Sequence, residues 1–147
     1  MTHAGEACRR MGLFAEADAH FERGERILRA TQQPGTLALC LAERALCALA
    51  IGEKQRAYDF AHSAMTTAAL SPSVLLEIER VYGAMGRVAE ALGDHAADKV
   101  SREAALANLD RQARRLPPSV LATWLAVAPR LEVVSWTGWR PGELRGV

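Results

Sequence analysis

The side chains in this sequence that could carry chemistry are few, and their spacing works against them. Glu77 and Glu79 are two residues apart, about 200° on a helix, so they cannot act together as general acid and base. Asp94 and Asp98 share a helix face, yet they fall in the first turns of a helix, where the dipole favours acids for structural reasons. His3, His20, His62 and His95 are scattered singly, none with a second His or Cys three or four residues on, as a helical metal site requires. Cys40 and Cys47 would lie about 10 Å apart along a helix axis, too far for one disulfide, and with Cys8 they read as small buried hydrophobes. P-loop, GxGxxG, GxSxG and HExxH patterns are all missing. The expectation is a chain that is not an enzyme and holds no metal or cofactor.

Composition narrows the class further. The 147 residues carry 18 basic and 17 acidic side chains for a formal net charge of +1, which supplies no field to gather phosphates and argues against nucleic-acid binding. No apolar run reaches the roughly 18 to 20 residues needed to span a bilayer, and His3, Glu6, Arg9 and Arg10 break up any signal-peptide core. A cytoplasmic protein with no membrane partner is expected. Half of the residues are hydrophobic but only 5% are aromatic, and alanine and leucine dominate. That is the composition of closely packed helices, so the fold class is all-α.

The elements that must position any site follow from apolar periodicity and its interruptions. Helices are expected over about 3–11 and 14–31, over 37–51 and 54–69, and over 73–92 and 95–115. Gly12, Gly52-Glu53 and Gly93-Asp94 are the tight turns within these pairs. Gln32-Gln33-Pro34-Gly35 breaks the chain before the second pair, with Thr36 as N-cap, and Ser71-Pro72 opens the third. The helix over 37–51 is apolar almost all round, only Glu43 and Arg44 being charged, which suits the middle of an array. A short helix over about 119–128 caps the domain of residues 1–128, and 129–147 is expected as a mobile tail without periodicity. Trp136 and Trp139 are candidates to anchor that tail on its own core or on a partner.

The three hairpins, about 3–31, 37–69 and 73–115, align on their turn glycines. One residue before the glycine stands Met11, Ile51 or Leu92; four before it, Cys8, Ala48 or Ala89; seven before it, Gly5, Ala45 or Gly86; twelve after it, Gly24, Ala64 or Ala105. These are expected helix-contact positions. A small residue in the first helix, a glycine-acid turn and alanines in the second helix resemble the tetratricopeptide repeat in its longer-period bacterial form. The period here is about 40 where the standard repeat has about 34, and Asp98 stands where alanine is expected. Taking Gly86 as the third turn would restore the shorter spacing, at the cost of a helix over 88–115 interrupted by Gly93-Asp94. The segment RRLPPSVLATWLAVAPRLEVV also looks like the closing part of the helical arrays that end bacterial signalling ATPases, adenylate cyclases, kinases and maltose-regulator-like transcription factors.

The resemblance implies an α-solenoid of about three antiparallel helical hairpins plus a C-terminal capping helix, with the first helix of each pair lining a concave groove. Carried over residue by residue, the groove positions are Glu6, Arg9 and Arg10; Leu39, Ala42, Leu46 and Leu49; and Arg80, Gly83, Arg87 and Glu90. An apolar floor at Leu46 and Leu49 between arginines suits an amphipathic helix or acidic peptide. The expected function is a non-enzymatic protein-interaction scaffold for a peptide or partner protein. The alternative is a regulatory domain enclosing a small molecule near Leu46, Tyr82 and Trp124. An uncapped first helix exposing Ala4, Cys8 and Met11 would also favour self-association through the N-terminal end.

Overall fold

The computed structural model describes residues 2–70 and 77–139, and within them the side chains of all but 2, 128 and 129. Among these residues there are eight α-helices and no strand: α1 (Thr2–Arg10), α2 (Phe14–Ala30), α3 (Pro34–Ala50), α4 (Lys54–Ala69), α5 (Ile78–Leu92), α6 (His95–Arg114), α7 (Pro118–Leu125) and α8 (Ala128–Thr137). The all-α reading of the composition therefore holds. The Ser71-Pro72 cap expected before α5 lies outside the described residues.

Three of the turns are built alike. In each, a glycine in the left-handed region ends the helix, at φ +79° for Gly12, +83° for Gly52 and +76° for Gly93. The N–H after it reaches back to the carbonyl five residues earlier, from Leu13 to Cys8, Glu53 to Ala48 and Asp94 to Ala89, each at 2.9 Å. This bond, with the glycine N–H on the next carbonyl, satisfies the otherwise unpaired ends of α1, α3 and α5. The turn after α2 has the same pattern with Gln32 at φ +51° in the glycine's place. That early stop lets α3 begin at Pro34, whose fixed φ suits the first helical position. Thr36 is consequently inside α3 and does not cap it.

Successive helices pack on one another from α1 to α6, and α3 also packs on α5. The small residues seven before and twelve after the turn glycines are what permit this. Gly5, Ala45, Gly86, Gly24, Ala64 and Ala105 are all buried. A Cβ at Gly5 would come 2.8 Å from the Phe21 ring, itself fully buried. The positions just before the turns are not the helix contacts expected: Met11, Ile51 and Leu92 are 70%, 52% and 44% exposed at the points where the helices end, as the uncapped first helix had implied for Met11. Ile27, next to the buried Leu28 on α2, is exposed as well. The apolar core forms two clusters, a large one across α2 to α5 and a smaller one of Leu109, Ala113, Val133 and Trp139.

The largest departure is at the C-terminal end. The capping helix stops at Leu125, and the stretch expected as an aperiodic tail contains α8, which packs on α5 and α6. Its glycines and Pro141 mislead, since Gly138 at φ +70° closes the helix and the others come after it in the chain, while Pro129 falls in the first turn, where proline is tolerated. Within 128–137, Val133 with Trp136 and Thr137 keeps helical spacing.

Candidate functional site: the face of α1, α3 and α5

Helix α3 carries its two charges side by side, and consecutive residues leave a helix about 100° apart. Glu43, 4% exposed, turns toward α1 and α5, while Arg44, 7% exposed, turns toward α2 and α4. Two ion-pair clusters grow from these side chains. Arg44 donates to Asp18 at 2.8 Å and to Glu25 at 2.6 Å, and its guanidinium lies 4.3 Å from the centre of the Phe60 ring. Burial opposes its charge, but the bonds to Asp18 and Glu25 prevail and hold its pKa above the ordinary value.

The cluster around Glu43 joins every helix of the expected groove. Its carboxylate accepts from Arg9 Nε at 2.5 Å and from Arg80 Nη2 at 3.1 Å, and Arg80 Nη2 also donates to Glu6 at 2.8 Å. Burial disfavours the charge on Arg80, yet Glu43 and Glu6 outweigh it and raise the pKa. Arg9 then reaches past this cluster to α8, donating from Nη2 to Glu132 Oε2 at 2.8 Å. Arg87 approaches the same oxygen at 4.0 Å.

The groove candidates are thus distributed unevenly. Glu6, Arg9 and Arg80 are together, but as a nearly buried ion-pair cluster. Leu46 and Leu49 are partly buried against the large core cluster. Arg87 and Arg10 remain on the surface, with Arg87 39% exposed at its side chain. Glu90 turns away from the others, 3.9 Å from Arg102 of α6.

What sequence reasoning missed is that the chain supplies its own occupant for this face. Trp136 of α8 lies against α5 at Gly83 and Gly86, and a Cβ on Gly86 would overlap the indole ring. Arg102 of α6 stacks on the same ring, 4.4 Å from its centre, and donates to the Trp136 carbonyl. The glycine pair in α5 was the signal available in the sequence.

Beneath α8 sits a second buried acid. Glu79 of α5 is fully buried, and its Oε2 accepts from Asn108 at 2.6 Å and from Gln112 at 3.0 Å. Its Oε1 has no hydrogen-bond partner, the nearest cation being Arg130 Nε at 3.8 Å. Burial pushes the Glu79 carboxyl above the usual carboxylate range, against its hydrogen bonds and the pull of Arg130. Arg130 is held over the Trp124 ring at 4.3 Å and donates to the Trp124 carbonyl at 2.6 Å.

Leu46 and Tyr82 line different spaces. Leu46 lines a small, partly open space of about 20 Å³ under α8, room for about one water. Tyr82 borders a separate cleft of about 450 Å³ with Met65, Ile78 and Asn108. Among the described residues no three His, Cys, Asp or Glu side chains converge as a metal site would need, and no helix is long and apolar enough to cross a membrane. No protein-family model matches the chain, and no curated protein or solved structure is detectably similar to it.

Proposed function

We propose that this chain is a non-enzymatic protein-interaction scaffold, a tetratricopeptide-like α-solenoid of three hairpins that receives a helical segment on the face of α1, α3 and α5. One observation carries the reading: that face already holds a helix, gripped by charge at Arg9 and Arg87 and by shape at Gly83 and Gly86. Recognition of an amphipathic helix in a groove needs these two elements, an anchor pocket and an orienting charge. The repeat assignment draws support from the three like-built turns and the buried small residues at matching positions. Because Glu6 and Arg80 are consumed in internal ion pairs, the residues left to meet a partner are Arg10, Arg87 and the Nη2 edge of Arg9 that now holds Glu132.

Selection of helical peptides from a displayed library against the full chain tests this. Enriched peptides should lose binding when Arg87→Glu is introduced, while circular dichroism stays unchanged. A library that yields no binder, or binders indifferent to Arg87→Glu, overturns the reading.

A further inference from the structure

Helix α8 is fastened at a few points and fits imperfectly between them. Glu132 is held by Arg9, and Trp136, one turn on, fills the notch at Gly83 and Gly86. The buried side-chain polar atoms without a hydrogen-bond partner among the described residues are Glu79 Oε1, Arg130 Nε, Trp136 Nε1 and Trp139 Nε1, the first two facing each other at 3.8 Å. Every one of them belongs to α8, to Trp139 just after it, or to the acid beneath Arg130. Each would gain a water if α8 lifted away, so docking of this helix is opposed where docking of the others is not. Leu131 is 51% exposed, and an open cleft of about 580 Å³ runs beside α8, bordered by Arg10, Arg87, Glu132 and Trp136.

We propose that α8 is a tethered, exchangeable ligand, and that the partner of this face is an amphipathic helix with a carboxylate four residues ahead of an aromatic side chain, which enters by displacing α8. The inference rests on the scaffold reading above and names its ligand class. Arg9, Arg10 and Arg87 select the carboxylate, and a base at that position would be repelled. The glycine notch admits a flat ring, and Arg102 adds a cation–π contact to it.

The test uses the full chain and a fluorescein-labelled synthetic peptide with the sequence of residues 126–139, tracked by anisotropy. In the wild type the tethered helix competes at an effective concentration in the millimolar range. Trp136→Ala in the full chain should therefore bind the peptide at least about tenfold more tightly than wild type does. Replacing by Ala the peptide's Trp at the position of Trp136, or adding Arg87→Glu to the protein, should abolish that gain. Glu132→Arg replaces Trp136→Ala if the latter fails to fold. A second measurement needs no variant: in hydrogen exchange of the wild type, α8 amides should exchange at least about tenfold faster than those of α5. Equal peptide affinity in wild type and variant, or equal protection of α8 and α5, overturns the proposal. A dimer in which α8 exchanges between copies assigns the place to a second copy and overturns the partner. Library helices that bind through Arg87 but lack the acid–aromatic pair overturn this inference and leave the scaffold reading standing.

Discussion

Arg9 and Glu132 meet at 2.8 Å across 123 residues of sequence, so a side chain of the first helix holds the last one in place. Their side chains are only 9% and 28% exposed, unlike those of Arg56 and Glu53, which are 45% and 46% exposed at 2.9 Å. Equal distance does not mean equal strength, because water screens the second pair. Double-mutant cycles with Arg9→Met and Glu132→Gln should give a coupling of about 1 kcal/mol or more, against about 0.5 kcal/mol or less for the exposed pair. Urea denaturation of the four variants in each cycle measures both; equal couplings would contradict the assignment.

Glu43 is the hub on which two arginines depend. Glu43→Ala leaves Arg9 and Arg80 charged, nearly buried and short of a partner, which should destabilise the fold by roughly 3–5 kcal/mol. Glu53→Ala should cost no more than about 1 kcal/mol. Denaturation midpoints at neutral pH compare them directly.

Two glycines at repeat-related small positions should respond in opposite senses. A Cβ at Gly24 would sit 3.8 Å from Cys40 Sγ, an ordinary contact, so Gly24→Ala should stabilise by about 0.5–1 kcal/mol through helix propensity. At Gly5 the same atom presses on the buried Phe21 ring at 2.8 Å, and Gly5→Ala should destabilise by about 1–3 kcal/mol. Melting temperatures that move in the same direction would refute the packing argument.

The cysteines should separate by access. Burial pushes the Cys40 and Cys47 thiols up to about 12, while Cys8 is only partly buried. Ellman's reagent at pH 8 should therefore titrate one thiol in the native protein and three in guanidinium. Rapid reaction of a second thiol without denaturant would be inconsistent with this core.

Glu79 makes stability depend on pH in the less usual direction. Its carboxyl has a raised pKa when folded, so the folded state holds its proton to higher pH than the unfolded chain does. The Glu79 contribution is fully present below the unfolded value of about 4.3 and is lost as pH rises through the folded one. Relative to Glu79→Gln, wild type should gain stability as pH falls from 7.5 toward 4.5. A difference that is flat, or of opposite sign, in denaturation curves at three pH values would show that the carboxyl is ionised in the fold.

The order of helices was legible in the sequence because alanine and leucine recur with helical period and glycines interrupt them. Gly12, Gly52 and Gly93 marked turns that all take the left-handed conformation. The groove was legible only as a set of positions. Arg80 and Glu6 looked like surface charge because a pattern of residue types carries no information on which ions neutralise each other across 74 residues. Helix α8 was hidden for a local reason: it is only ten residues long, under three turns, and the glycines and Pro141 beyond its last turn dominate the pattern of the segment. Ile51 and Leu92 were misplaced because the apolar pattern runs on to the point where each helix ends.

The contact of Arg9 with Glu132 has a mechanical corollary. A chain pulled from its two ends would load this clasp early, so α8 should unzip at low force before the middle helices yield. The molecule would then give way in two steps, a short extension at its C-terminal end and then the rupture of the remainder.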